Sequence, residues 1–121
     1  MIERTDHRIV SHCGDNRLLL RNKCLVGNGI PQAAKTVLFV HGATYGSTNT
    51  VDYTLQDKSW LDVLATQGFD AWCLDLLGYG QSDRPTAMDQ PAQDHAPLVD
   101  TAFAVADVHQ AVSHILGLRH I

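Results

Sequence analysis

A short apolar run that ends abruptly at a histidine and a glycine constrains this chain more than any other feature. Residues 36–40 read Thr-Val-Leu-Phe-Val, and His41 and Gly42 follow them. Such a run, bounded by turn residues, is typical of a buried strand. A strand that is buried on both faces belongs to a parallel sheet covered by helices. We therefore predict that this strand holds the centre of the sheet, and that the loop after it carries function, because parallel sheets place their chemistry at the carboxyl ends of their strands.

The composition indicates one globular domain or part of one. The chain has 121 residues, of which 45% are apolar and 18% charged, so it can bury a core. Its net charge is −4 and it has no cluster of Lys and Arg, which argues against nucleic acid as a partner. No apolar run is long enough to cross a membrane, and the polar amino terminus is unlike a signal peptide, so no membrane partner is expected.

The three cysteines indicate a reducing environment. Cys13, Cys24 and Cys73 are odd in number and lack the spacing of two intervening residues that marks metal and redox sites. Each lies in or near an apolar strand, so we predict buried free thiols. Free thiols fit a cytoplasmic location.

The first third of the chain predicts a hairpin. Residues 1–12 and 17–26 are strand-like and flank a turn at residues 14–16, which predicts two antiparallel strands. Residues 27–31 contain two glycines and a proline and predict a loop.

Helices and a second buried strand follow the central run. Ser59 and Asp62 resemble a capping box that opens a helix, and Gly68 is suited to end it. Residues 69–75 predict another buried strand that ends at an aspartate, and the three prolines of residues 85–97 predict irregular structure.

A last helix is predicted over residues 98–116, ending at Gly117. Spacings of three and four place six residues on one face, which we predict to be the buried one. They are Leu98, Ala102, Val105, His109, Val112 and Leu116. This pattern makes His109 a core histidine and points Asp107 and His114 the other way.

Two motifs in this order give a family resemblance. Val40-His41-Gly42 follows the first buried strand, and Asp75, Gly78, Gly80 and Ser82 follow the second, as Asp-x-x-Gly-x-Gly-x-Ser. With a helix between them, they resemble the N-terminal half of the α/β-hydrolase fold over nearly the whole chain. The resemblance implies an α/β fold with a mostly parallel sheet, an N-terminal antiparallel hairpin and helices on both faces. Residues 1–121 would then be the N-terminal portion of a single α/β-hydrolase domain.

The resemblance also implies a candidate site. In this family the loop after the first motif supplies one donor of the oxyanion hole, which here is the backbone N–H of Ala43, shaped by His41 and Gly42. Acyl transfer places negative charge on a carbonyl oxygen, and fixed backbone donors stabilise that charge. The long polar loop that follows offers a possible substrate pocket. The candidate lining residues are Thr44, Tyr45 and Tyr53.

The family's catalytic triad has no counterpart in this chain. The nucleophile of the family sits on a Gly-x-Ser-x-Gly elbow after the next strand, and that motif does not occur here. Its nearest match is Gly80-Gln81-Ser82-Asp83-Arg84, which lacks the second glycine, so we predict that Ser82 is a hydrogen-bonding loop residue. Asp75 is predicted to hold neighbouring loops. We predict no catalytic residue in this chain, which leaves open whether a parent nucleophile is Ser, Asp or Cys.

Other chemistries are disfavoured by spacing. The two glycines at 78 and 80 lack the third glycine and the helix that a dinucleotide site requires. The seven histidines lack the pairs three or four apart that bind metals on helices. We therefore predict no cofactor and no metal site.

Two functions remain open. The first is an ester or related hydrolase acting on a small-molecule substrate when full length. The second is a truncated or repurposed binding protein that is not catalytic.

The resemblance also implies a strand order, in which residues 69–75 lie on one side of residues 36–41 and a strand beginning near Ile121 lies on the other. With right-handed crossovers, this order implies that the two helices lie on opposite faces of the sheet. In the family a further strand pairs with residues 36–41. Without it these residues form an edge through which the chain could self-associate.

Overall fold

The computed structural model describes residues 1–27, 29 and 33–121, and in them four strands and two α-helices. The elements are β1 (Ile2–Val10), β2 (Arg17–Leu25), β3 (Thr36–Val40), α1 (Trp60–Thr66), β4 (Asp70–Leu74) and α2 (Thr101–Arg119). The loop predicted at residues 27–31 lies partly outside the described residues. Residues 85–97, predicted to be irregular, contain two short 3₁₀ segments at Thr86–Asp89 and Ala92–Asp94.

The four strands form a single mixed sheet in the order β1-β2-β4-β3. β1 and β2 pair antiparallel, which confirms the predicted hairpin. β2 also pairs antiparallel with β4, whereas β3 and β4 run parallel. The prediction of a mostly parallel sheet was wrong, because the hairpin adds its second strand antiparallel to β4 and leaves a single parallel pair among the described strands.

The centre of this sheet is β4 and not β3. All five residues of β4 are buried, because strands flank it on both sides. β3 lies at the sheet edge, its residues are only half-buried, and Val40 is 41% exposed. The prediction that β3 holds the sheet centre was therefore wrong. The expectation of an edge at this strand is met.

The two helices cover opposite faces of the sheet, as predicted. Side chains alternate along a strand, so successive residues of β4 face opposite layers. Ala71 and Cys73 pack with Leu61 of α1 in one apolar cluster. Trp72 and Leu74 pack with residues of α2 in the other.

Local capping fixes both ends of α1. Ser59 Oγ accepts from Asp62 N–H at 3.1 Å, and Asp62 Oδ2 accepts from Ser59 N–H at 3.0 Å, which confirms the predicted capping box. Gly68 adopts a φ of +89° after the helix, and Phe69 N–H then donates to Leu64 O at 3.1 Å. This left-handed turn is the arrangement for which glycine is favoured after a helix.

Helix α2 begins later and ends later than predicted. The Asp100 side chain accepts from Phe103 N–H at 2.8 Å and starts the helix. Gly117 lies inside the helix, which ends when His120 adopts a left-handed φ of 58°. The helix continues past Gly117 because Arg119 is anchored to Asp70 by two hydrogen bonds, at 2.8 and 3.0 Å.

The face of α2 that contacts the sheet is also not the predicted one. Asp107, Ala111 and Ile115 are its buried residues. Val105 is 63% exposed and His109 is exposed, so neither belongs to the core. The predicted stripe was wrong because α2 is apolar around much of its circumference, and the buried hydrogen bonds of Asp107 together with the Arg119–Asp70 pair fix its rotation.

The three cysteines occupy different environments. Cys73 is buried, Cys24 is half-buried and Cys13 is exposed, so the prediction of burial was wrong for Cys13. Burial, reinforced by the carboxylates of Asp52 and Asp75, raises the pKa of Cys73 to about 12. In the part of the chain that the structure describes, no helix has the length and apolar character needed to cross a membrane.

Candidate functional site

The candidate site lies where β3 and β4 end. These strands are parallel neighbours, so the loop that begins at His41 and the loop that begins at Asp75 emerge side by side. We call them the β3 loop (residues 41–48) and the β4 loop (residues 75–83). Their mutual contacts determine what this end of the sheet can bind.

A fully buried carboxylate joins the two loops. Asp75 accepts from the backbone N–H of Thr48 at 3.0 Å and from its hydroxyl at 2.8 Å. It also accepts from the N–H of Gln81 at 2.9 Å. One side chain therefore bonds to both loops, and these contacts confirm the loop-holding role predicted for Asp75.

Two glycines allow the backbone to close around this carboxylate. A Cβ atom on Gly46 would lie 2.8 Å from Asp75 Oδ1 and 3.0 Å from Gly80 N. A Cβ atom on Gly80 would collide with Asp75 Oδ2. Each side chain would overlap the carboxylate, so both positions need glycine for steric reasons.

Ser82 is part of the same framework. Its hydroxyl donates to the backbone oxygen of Asp75 at 2.5 Å and accepts from Leu19 N–H at 2.8 Å. The first bond closes the β4 loop onto its own first residue, and the second ties the loop to β2. These contacts confirm the prediction that Ser82 is a hydrogen-bonding loop residue.

His41 is held by both of its ring nitrogens. Leu76 N–H donates to Nε2 at 2.9 Å, so the proton of the neutral ring sits on Nδ1, which donates to Gly42 O at 2.7 Å. The ring also packs against Tyr79, with 4.6 Å between ring centroids. Because both nitrogens are occupied, His41 positions the loop and is not placed to transfer protons.

Tyr79 fixes the peptide group after the candidate donor. Its hydroxyl donates to Ala43 O at 2.7 Å. Ala43 itself is exposed, and no described residue accepts a hydrogen bond from its N–H. The β3 loop is thus held on both sides of Ala43 while this N–H has no acceptor among the described residues. Sequence reasoning missed Tyr79, although an aromatic residue between two glycines of a loop was a visible signal.

The residues predicted to line a substrate pocket are on the surface. Tyr45 is 66% exposed and Tyr53 is 60% exposed. Thr44, which follows Ala43 in the sequence, is also exposed. Their part in binding a substrate stays a prediction.

The long loop that carries these residues is anchored by Asp52. This buried carboxylate accepts from Arg21 Nη1 at 2.9 Å, from Lys23 Nζ at 2.7 Å and from Ser59 Oγ at 2.6 Å. Arg21 also binds both oxygens of Asp6 and thereby lowers the pKa of that carboxyl. The network joins the hairpin, the long loop and α1. The sequence did not predict this network, because nothing in strand β2 indicates that Arg21 and Lys23 contact Asp52, about 30 residues later.

A serine, a histidine and an aspartate also meet at the end of β1, but not in catalytic order. Ser11 Oγ donates to the carboxylate of Asp107 at 2.9 and 3.0 Å, and His12 bonds to the same carboxylate through N–H at 2.8 Å and Nδ1 at 2.7 Å. A triad requires the serine to bond to the histidine. Here both bond to the acid, so the cluster anchors α2 to β1.

Comparison with known proteins supports the same fold. Residues 35–121 match the family described as the alpha/beta hydrolase fold. The crystal structure of the hypothetical protein PA2218 from Pseudomonas aeruginosa is similar, with a TM-score of 0.63 and 16% sequence identity. That similarity covers 95% of this chain but only 30% of the other. The search of curated proteins gave no match. Because the family match spans well over half of its residues, the chain belongs to the alpha/beta hydrolase fold family.

Proposed function

We propose that this chain supplies the oxyanion-binding side of a hydrolase that cleaves an ester or a related bond of a small molecule. The observation that carries the proposal is Ala43, whose N–H lacks an acceptor among the described residues while His41 and Tyr79 hold the loop around it. A rigid backbone donor of this kind is what a developing oxyanion needs.

The nucleophile and its base must come from outside the described residues. Ser82 is bonded to backbone groups, and the Ser11–His12–Asp107 cluster is not in catalytic order. We therefore expect the 121-residue chain alone to lack measurable turnover of a chromogenic ester. Clear turnover that disappears in Ser82→Ala would contradict this expectation and our interpretation of Ser82.

If a full-length protein that carries the nucleophile exists, the decisive test replaces Ala43 in it. Ala43→Pro removes the N–H, and loss of one oxyanion donor lowers kcat by about 10²–10³. Ala43→Gly is the matched control, because it retains the N–H and should retain most of the activity. Protection of the Thr48 amide from hydrogen exchange would verify that the loops still close around Asp75. An unchanged kcat in a folded Ala43→Pro variant would place the oxyanion hole elsewhere.

A second candidate function rests on the sheet edge. β3 lies at the edge of the described sheet with half-buried apolar residues, which suits a non-catalytic protein that binds another strand. The two functions differ in a simple way. Ala43→Pro should lower kcat by about 10²–10³ in the first and leave binding through the edge intact in the second.

A further inference from the structure

Two consecutive carbonyl groups of the β3 loop are bonded to one pair of aromatic rings. The imidazole of His41 donates from Nδ1 to Gly42 O at 2.7 Å, and the hydroxyl of Tyr79 donates to Ala43 O at 2.7 Å. The centroids of the two rings lie 4.6 Å apart. This ring pair therefore holds the peptide group before Ala43 and the peptide group after it.

These bonds also set the direction of the next two N–H groups. In a trans peptide the N–H points away from the C=O of the same group, and no described peptide bond is cis. Gly42 O shares its peptide group with the N–H of Ala43, and Ala43 O shares its group with the N–H of Thr44. Because both carbonyls face the ring pair, both N–H groups face away from it.

The course of the chain agrees with this direction. An extended strand sends successive N–H groups to opposite sides, but this chain bends sharply at residues 43–45. No residue in the bend has a positive φ. A bent chain with negative φ angles directs successive N–H groups to one side, as the first turn of a helix does. The N–H groups of Ala43 and Thr44 therefore lie side by side.

Neither N–H of this pair is used by the described part of the protein. Ala43 and Thr44 are both exposed, and no described residue accepts a hydrogen bond from either N–H. By contrast, the N–H of Thr48 in the same loop donates to Asp75. The β3 loop therefore presents two adjacent, oriented donors on its exposed side.

Tyr79, which holds the second carbonyl, is itself fixed by the glycines on either side of it. A Cβ atom on Gly78 would collide with the side chain of Met88, and one on Gly80 would collide with the carboxylate of Asp75. Both glycines have a positive φ, of 83° and 50°. Close packing on both sides restrains the backbone of Tyr79, so its hydroxyl is directed at the β3 loop from a rigid base.

We propose that Thr44 supplies a second N–H donor to the oxyanion that Ala43 binds, and that Tyr79 is the positioning residue that aims this donor. The inference rests on the proposed function, because it assigns a further group to the same site. Successive backbone N–H groups on one side of a turn form a concavity that binds anions. Two donors that are fixed before the reaction stabilise the developing charge more than one does. The ligand is a negatively charged oxygen of a small carboxylate or of an acyl-transfer intermediate.

Titration of the isotope-labelled 121-residue chain with sodium acetate, followed by NMR at neutral pH, tests the inference. Acetate presents a negatively charged oxygen of the required kind, and it replaces chloride at constant ionic strength. The amide resonances of Ala43 and Thr44 should move together and fit a single Kd in the millimolar range. The amide resonance of Thr48 should stay in place, because its N–H already donates to Asp75.

Variants separate the second donor from the residue that aims it. Tyr79→Phe keeps a ring against His41 and removes the hydroxyl, so it should raise the acetate Kd by about two- to tenfold. The movement of the Thr44 resonance should shrink more than that of Ala43, whose peptide group His41 still holds. Thr44→Pro removes the second N–H and should raise the Kd by about tenfold or more. Thr44→Ser is the matched control, because it retains the N–H and should leave the Kd unchanged.

Protection of the Thr48 amide from hydrogen exchange verifies in each variant that the two loops still close around Asp75. A loss of acetate binding with this protection intact is what an aiming role predicts. A merely structural role for Tyr79 would instead lower the protection of Thr48.

Three results would overturn the inference. Acetate that moves neither resonance would show that the loop does not bind anions, and acetate that moves Ala43 alone would exclude Thr44 as a donor. A Tyr79→Phe chain with a protected Thr48 amide and the wild-type Kd would show that Tyr79 does not aim the donor. The proposed function is tested separately, by turnover of Ala43→Pro. Lost turnover in that variant, together with acetate binding at Ala43 alone, would retain the hydrolase and refute the second donor.

Discussion

Removing the Asp75 carboxylate should destabilise the chain, because this group bonds to both loops. It accepts three hydrogen bonds from Thr48 and Gln81. Hydrogen bonds to charged groups contribute about 1.5–3 kcal/mol each, but the Gln81 N–H lies in an exposed residue and can bond to water instead. Thr48 is buried, so its N–H would lose its acceptor without replacement. We therefore expect Asp75→Ala to lower the free energy of unfolding by about 2–4 kcal/mol.

Two milder variants separate charge from shape. Asp75→Asn keeps the volume, but its amide nitrogen must face one of the N–H donors, so we expect a loss of about 1–3 kcal/mol. Thr48→Val removes only the hydroxyl donor and should cost about 1 kcal/mol. The losses should therefore rise from Thr48→Val through Asp75→Asn to Asp75→Ala.

Urea unfolding followed by tryptophan fluorescence measures these differences, since Trp72 is fully buried in the core. Asp94→Asn, at an exposed acid of the 3₁₀ segment, is the control and should stay within about 0.5 kcal/mol of wild type. If both Asp75 variants also stayed within about 0.5 kcal/mol of wild type, the carboxylate would not be what holds the two loops together.

Two further changes probe the contacts of α2 and β1. Burial and the neighbouring His114 lower the pKa of His7 below its ordinary value of 6.5, so the unfolded chain takes up this proton first as the pH falls. The free energy of unfolding should therefore decrease as the pH falls below about 6.5. His7→Phe should make this decrease smaller when the free energy is measured by urea unfolding at a series of pH values. An unchanged decrease would show that His7 does not cause it. Asp107→Ala should cost about 1–3 kcal/mol by the same assay, because it leaves the buried Ser11 hydroxyl without its acceptor and removes the hydrogen bonds to the exposed His12. A loss below about 0.5 kcal/mol would show that the cluster does not anchor α2.

The features predicted from sequence are those that short stretches of chain determine. The Ser59–Asp62 capping box and the Gly68 turn depend on neighbours within a few residues, and both are present as expected. The role of Asp75 was predicted from the family resemblance, and that of Ser82 because the residues around it lack the second glycine of a nucleophile elbow. In each case the residues on which the prediction depends lie within one short stretch of the sequence.

The features that were missed depend on residues far apart in sequence. The position of β3 in the sheet depends on the hairpin pairing with β4, which no local pattern indicates. The rotation of α2 depends on Asp107 bonding to residues about 95 positions earlier. The apolar stripe could not predict this rotation, because α2 has apolar residues on more than one face. An aspartate in a helix is also normally predicted to lie on the surface, whereas Asp107 is buried.

Hydrogen exchange of individual backbone amides, followed by NMR, tests whether both loops are closed while the Ala43 N–H is left without an acceptor among the described residues. The amide of Thr48 should be strongly protected, because it is buried and donates to Asp75. The amide of Ala43, exposed and without an acceptor among the described residues, should exchange almost as fast as in an unfolded peptide. Strong protection of Ala43 would mean that its N–H is already bonded within the protein, and would contradict its assignment as an oxyanion donor.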